Sequence, residues 1–132
     1  MIQIQISSLY AATVWLKLSG LDWVDGTAVY WVTRLPEFAR FTVPYAFDHM
    51  WTIRALTWGT LAVELALAGL VWVRRLRPWV LLAGVLFHLA IEWSMVLAVM
   101  QWVLIGAYVV FLEEEQVLRL VPVKALKRRA SA

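Results

Sequence analysis

Apolar residues fill this chain in long runs, and the scattered polar positions are what divide it. The run from Ile2 to Leu18 is short and partly polar. At helical spacing Gln3, Ser7, Tyr10, Val14 and Lys17 fall on one stripe, which predicts a helix with one face unlike the others. Ser19-Gly20 is a stop for that helix. A long connection follows to Phe47, with a turn signal at Asp25-Gly26 and a short interfacial helix expected over Thr27 to Leu35, before Pro36. The second long run is His49 to Val73, with Asp48 as its expected N-cap, Arg54 near its start and Glu64 near its middle. Arg74-Arg75-Leu76-Arg77-Pro78 makes a tight basic turn. From Trp79 to Leu112 the chain is nearly unbroken in its apolar character. One helix of that length would rise about 51 Å, far beyond a ~30 Å hydrocarbon core. Two shorter helices with a break around Ser94–Val99 fit better, the second ending at Glu113-Glu114-Glu115.

Composition turns these runs into membrane spans. Of the 132 residues 63% are hydrophobic and 16% charged, more apolar surface than one soluble domain of this length can hide. The expected architecture is therefore all-α: an integral membrane bundle of about four transmembrane helices with a short interfacial helix in the first loop. Trp23, Trp31, Trp51, Trp72 and Trp79 sit near the proposed boundaries, where indole rings favour the headgroup layer. The polar stripe of the first helix must then face protein or a polar cavity. The alternation in Met1–Ile6 also suits a strand, but a lone strand leaves its backbone unsatisfied in a bilayer, so helix is preferred.

Charge sets the expected orientation. The Arg74–Arg77 turn and the tail from Arg119 to Arg129 hold most of the basic residues, whereas the connection after the first helix carries only Arg34 and Arg40. The positive-inside rule puts both termini in the cytoplasm and the 19–47 loop outside. Residues 1–118 form one expected transmembrane domain and 119–132 a basic cytoplasmic tail. Because apolar spans flank the basic segments, they read as orienting signals, and no nucleic-acid partner is expected. There is no cysteine, which excludes disulfides, thiolate nucleophiles and cysteine-ligated metals. No cleavable signal peptide is expected, since Met1 to Ser8 lacks a basic n-region. Phosphate-cradling glycine loops, serine-nucleophile motifs and dinucleotide fingerprints are also missing from the sequence.

Four ionisable groups lie inside the expected spans: Lys17, Glu64, His88 and Glu92. A charge at mid-bilayer costs about 2.5–3.5 kcal/mol on insertion scales, so each needs company. Lys17 reads either as a lysine that snorkels to the outer surface or as a base. Glu64 lies too deep to snorkel; it reads as an ion-pair partner for Lys17 or Arg54, or as a proton-handling acid in a cavity. His88 and Glu92 are four apart and share a helix face with Gly84, where a neighbouring helix can come close. An interhelical hydrogen-bond network is the plainer reading of that pair. Metal binding is the weaker one, since no third ligand is identifiable and no metal is expected.

Five stretches of the chain together resemble a known family. Ile4-Gln5-Ile6-Ser7-Ser8-Leu9-Tyr10 leads to Trp15-Leu16-Lys17-Leu18-Ser19-Gly20 and then Asp22-Trp23-Val24-Asp25-Gly26-Thr27-Ala28. Leu56-Thr57-Trp58-Gly59-Thr60-Leu61-Ala62-Val63-Glu64-Leu65 and Phe87-His88-Leu89 follow in order. This succession resembles the horizontally transferred transmembrane domain family, relatives of vitamin K-dependent γ-glutamyl carboxylase, over roughly residues 3 to 112. The resemblance implies that Lys17 is a base on the outer face, that a reduced quinone such as vitamin K hydroquinone is the cofactor, and that Glu64 and His88 are cavity residues; with the stripe of the first helix and the His88–Glu92 face, the residues expected to line a cavity or make helix–helix contacts are Tyr10, Glu64, His88 and Glu92. Family members carry several more membrane helices before this region, and the carboxylase a large lumenal domain after it.

Three functions compete on this footing. One is a partner-dependent or non-catalytic membrane module, in which the polar groups lock helices together and a homo-oligomer or a second membrane chain completes the bundle. Another is a carboxylase-like, quinone-dependent enzyme component with Lys17 as base. The third, by analogy of size and helix number, is a DoxX-like small membrane subunit of redox metabolism.

Overall fold

A computed structural model of the protein describes residues 1–40, 49–97 and 99–112. These residues are all-α: α1 (Ile2–Leu18), α2 (Leu21–Val24), α3 (Ala28–Val32), α4 (Met50–Ala68), α5 (Arg77–Ser94) and α6 (Met100–Ala107). A 3-10 turn at Leu70–Trp72 follows α4, and another at Tyr108–Phe111 follows α6. The expected N-cap Asp48, the acidic stop Glu113–Glu115 and the basic tail from Arg119 lie outside the described residues.

Each element starts and stops for a local reason. Ser19 closes α1, its N–H reaching back to the carbonyls of Trp15 and Leu16 at 3.2 Å. Gly26 takes φ +80°, a backbone conformation that suits glycine, and this turns the chain from α2 into α3. Pro78 stands in the first turn of α5, where a missing N–H costs nothing. Between Ser94 and Met100 the helix is interrupted, in the region where the 79–112 run is too long for one element. The first connection comes back to this interruption. Ala39 forms an antiparallel bridge with Met95, and the Val96 N–H donates to the Phe38 carbonyl at 2.8 Å.

α1, α4 and α5 pack side by side, with α6 against α5. The apolar core lies towards the end of the bundle that holds the Arg74–Arg77 turn, where Tyr10, Leu67, Val71, Leu81, Tyr108 and Phe111 meet. Gly84 makes that meeting possible. A Cβ there would stand 2.9 Å from the Tyr108 hydroxyl and 3.0 Å from Leu67 Cδ2. The 3-10 turn after α6 is tied down by Arg77, whose Nε donates to the Val71 carbonyl at 3.1 Å and whose Nη1 donates to the Phe111 carbonyl at 3.5 Å. These contacts occupy carbonyls that the helix ends leave over.

No helix among the described residues is long and apolar enough to cross a membrane. α1 has 17 residues, α4 has 19 and α5 has 18. Arg54 and Glu64 interrupt the apolar character of α4, and Arg77, His88 and Glu92 that of α5.

Gly84→Ala should lower stability by about 1–3 kcal/mol, because the added methyl overlaps Tyr108. Gly59→Ala and Gly106→Ala, where a Cβ meets nothing within 4 Å, should leave stability unchanged or slightly raised. Thermal unfolding in detergent compares the three directly.

Candidate functional site

The polar stripe of α1 is turned into the bundle. Ser7, Tyr10 and Val14 are buried on it. Gln3 donates through Nε2 to the Val110 carbonyl, and Ser7 accepts from Trp72 Nε1 at 3.1 Å. Halfway along the stripe Tyr10 holds two partners from two other helices. Its hydroxyl lies 2.8 Å from His88 Nε2 and 2.7 Å from the Tyr108 hydroxyl. On the far side of the ring, His88 Nδ1 meets Gln101 Oε1. All four side chains are buried.

Elementary donor rules give this cluster a direction. The amide oxygen of Gln101 can only accept, so Nδ1 carries the proton. With a neutral ring, Nε2 then accepts from Tyr10, and the Tyr10 oxygen accepts in turn from Tyr108. The chain of hydrogen bonds runs Tyr108 to Tyr10 to His88 to Gln101. It joins α1, α5, α6 and the 3-10 turn after α6.

Two turns further along α1 stands an ion pair. Lys17 Nζ contacts Glu64 Oε1, linking α1 to the middle of α4. Thr13 reaches towards the other carboxylate oxygen at 3.4 Å while donating at 2.9 Å to its own helix at the Tyr10 carbonyl. The Lys17 ammonium also lies 4.8 Å from the centre of the Trp23 ring, a cation–π contact with α2. Glu64 is buried, so its charge has protein on every side and one ammonium to answer it.

Glu92 does not join His88. One of its oxygens pairs with Arg40 Nη2 at 3.0 Å, and the other is buried with no hydrogen bond among the described residues. Arg40 also donates to the Met95 carbonyl at 3.3 Å. The two residues four apart on α5 therefore serve different neighbours: His88 binds helices to one another, and Glu92 fastens the first connection over the interrupted helix. No cluster of three His, Asp or Glu side chains able to hold a metal exists among the described residues.

Several participants did not stand out in the sequence. Gln101 and Tyr108 are seven apart, two helical turns, which places them on one face; that spacing within an apolar run was the available signal. Thr57 and Glu64 repeat the same interval on α4. Thr57 is fully buried, accepts from the Val29 N–H at 3.2 Å and donates to the Ile53 carbonyl at 2.9 Å, so it caps the start of α3 from another helix. No pattern in the sequence announces that contact.

No family model, curated protein or solved structure matches this chain.

Tyr10→Phe should destabilise the fold by about 1–3 kcal/mol, since it strips both His88 and Tyr108 of their partner in a buried place. Tyr108→Phe should cost less, because it removes only the terminal donor. Equal losses in the two variants, read by thermal unfolding in detergent, would contradict the direction assigned to the chain. For the ion pair the two sides are unequal: the Lys17 side chain keeps 23% of its surface exposed and Glu64 only 8%. Lys17→Met should therefore cost about 3–5 kcal/mol by stranding the carboxylate. Glu64→Gln should cost less, and the double variant should recover part of the loss.

Proposed function

We propose that this chain is an integral membrane protein: a helical module that holds itself together through internal polar contacts and works with a partner or a second copy. The observation that carries the reading is the inverted polarity of the bundle. Its buried side chains include Ser7, Thr57, Glu64, His88 and Gln101. Its outward surface instead carries large apolar side chains, with Trp15 74%, Trp51 80% and Trp79 70% exposed. Water rewards the opposite arrangement, whereas hydrocarbon rewards this one. The residues that interrupt α4 and α5 include Glu64 and His88, both turned inward. At 1.5 Å per residue the three long helices rise about 26–29 Å, close to a ~30 Å hydrocarbon core. The positive-inside rule supports a cytoplasmic side at the Arg74–Arg77 turn and both termini, with the 19–47 loop outside.

Dependence on a partner is supported by the outward side of α1. Gln5, Ser8 and Ala12 form an exposed seam of small and polar residues at helical spacing. Such a seam suits contact with another helix better than contact with lipid.

A non-catalytic part for Lys17 is supported by its engagement. Its ammonium is held by Glu64 and by the Trp23 ring, which fits a lock between α1, α2 and α4. A base that takes a proton from a reduced quinone would first have to let go of that carboxylate.

After carbonate washing the full-length chain should stay with the membrane pellet and leave it only with detergent. A monodisperse protein in plain buffer would refute the membrane reading. Lys17→Arg should retain assembly, and vitamin K hydroquinone should not be consumed by either form. Hydroquinone turnover by the wild type that vanishes in a stably folded Lys17→Arg variant would move the assignment to the carboxylase-like enzyme.

A further inference from the structure

The buried cluster around Tyr10 sets an oxidisable ring against a base. The Tyr10 hydroxyl lies 2.8 Å from His88 Nε2, and that nitrogen carries no proton because the proton of the neutral ring sits on Nδ1, facing Gln101. A phenol gives up an electron readily only when its proton leaves with it. In a dry interior no water takes that proton, so a base within hydrogen-bond reach must. His88 Nε2 is so placed.

The same contacts fit the oxidised state. Once the proton has crossed, both ring nitrogens of His88 are donors. Nδ1–H still faces Gln101, Nε2–H donates back to the Tyr10 oxygen, and Tyr108 still donates to that oxygen across 2.7 Å. Three hydrogen bonds stand before the transfer and three after it, and no side chain has to turn. A lock between helices needs only one donor and one acceptor at such a point. It needs neither a phenol against an imidazole nor a second phenol aimed at the first.

The electron has a way out of the core. Ser7 stands one turn before Tyr10 on the same stripe and accepts from Trp72 Nε1 at 3.1 Å. The Trp72 ring meets Phe111 edge-on, with centroids 6.1 Å apart, and Phe111 packs in one cluster with Tyr10 and Tyr108. Trp72 is 45% exposed, so its indole joins the buried phenols to the surface of the bundle. We propose that Tyr10 is a one-electron redox site, with His88 taking its proton and Trp72 passing its electron to a peroxyl radical of oxidised lipid. The peroxyl radical takes the electron from the indole and a proton from water, and becomes a hydroperoxide. As Tyr10 refills the indole, its O–H bond breaks and an N–H bond forms at His88 Nε2. The peroxyl radical is reduced, and Tyr10 is left as a neutral phenoxyl radical beside an imidazolium. The choice of oxidant rests on the membrane reading above, whereas the Tyr10–His88 pair does not.

Flash oxidation of the full-length protein in detergent by photogenerated tris(bipyridine)ruthenium(III) tests the pair. The wild type should give a tyrosyl radical in electron paramagnetic resonance. Electron–nuclear double resonance should find exchangeable protons strongly coupled at its oxygen, from His88 and from Tyr108, and the radical should form more slowly in deuterium oxide. Tyr10→Phe should abolish this signal, and His88→Leu should slow its formation by on the order of 100-fold. Where a replacement does not fold, the wild-type couplings decide, because a merely structural cluster does not produce them. A radical confined to tryptophan, a tyrosyl signal without those couplings, or one that persists in a folded Tyr10→Phe variant overturns the proposal. In vesicles of polyunsaturated phosphatidylcholine the wild type should lengthen the lag before peroxidation, and Trp72→Phe should lose that effect. Equal lags overturn the peroxyl assignment. A chain that needs no detergent removes the membrane reading and that oxidant together, while the flash experiment still judges Tyr10 and His88.

Discussion

Tyr10 meets His88 and Tyr108 at a point where three segments far apart in the chain converge, and the arrangement of the bundle follows from the need to keep that point satisfied. Each of these side chains carries a polar atom on a largely apolar body. Buried without a partner, each would cost more than its apolar contacts return; buried together, they fix the rotation of α1, the depth of α5 and the height at which α6 begins. An apolar core alone would not specify so much. Leucine against leucine tolerates a helix turned by twenty degrees or slid by a fraction of a turn, whereas a hydroxyl 2.7 Å from another hydroxyl does not.

The ion pair of Lys17 and Glu64 adds a second constraint on the same stripe of α1, two turns away, and ties it to α4. Two separate polar links along one helix determine both its rotation and its tilt. Gly84 sets the closeness of the third side, because only a bare backbone lets the Tyr108 ring lie against α5. The Arg40 contacts with Glu92 and Met95 play a similar part at the opposite end, where the chain is neither helix nor sheet and its carbonyls need donors from elsewhere.

Much of this was legible in the residues themselves. The bounds of α1, the turn at Gly26 and the short helix before Pro36 follow from local rules of spacing and punctuation, and the interruption after Ser94 follows from the length of the apolar run. The inward stripe of α1 follows from periodicity, and the deep Glu64 implies a cationic partner, Lys17 being one of the two nearest candidates. What could not be read were contacts between elements. Glu92 lies four residues from His88, which suggests a common purpose, yet Arg40 claims it through a connection whose path no helical rule predicts. Thr57 carries no charge and stands in an ordinary helical position, so only the approach of α3 reveals its use. α4 ends at Ala68, short of the expected Val73, because Gly69 interrupts the helix and the chain continues as a 3-10 turn that apolar patterning does not distinguish from helix.

The separation in sequence between partners has an implication for synthesis. Among the described residues, every hydrogen-bond partner of the α1 stripe on another element comes much later in the chain: Glu64 is 47 residues beyond Lys17, Trp72 is 65 beyond Ser7, and Val110 is 107 beyond Gln3. His88 and Gln101, by contrast, are 13 apart and can meet within a hairpin of α5 and α6. α1, made before all of these partners, must thus wait longest for its hydrogen bonds to other helices to close. A nascent chain halted before Met100 contains an α1 that is fully formed along its backbone and still unanswered at Tyr10 by Tyr108, a state that quality-control factors able to sense unpaired polar groups would read as unfinished.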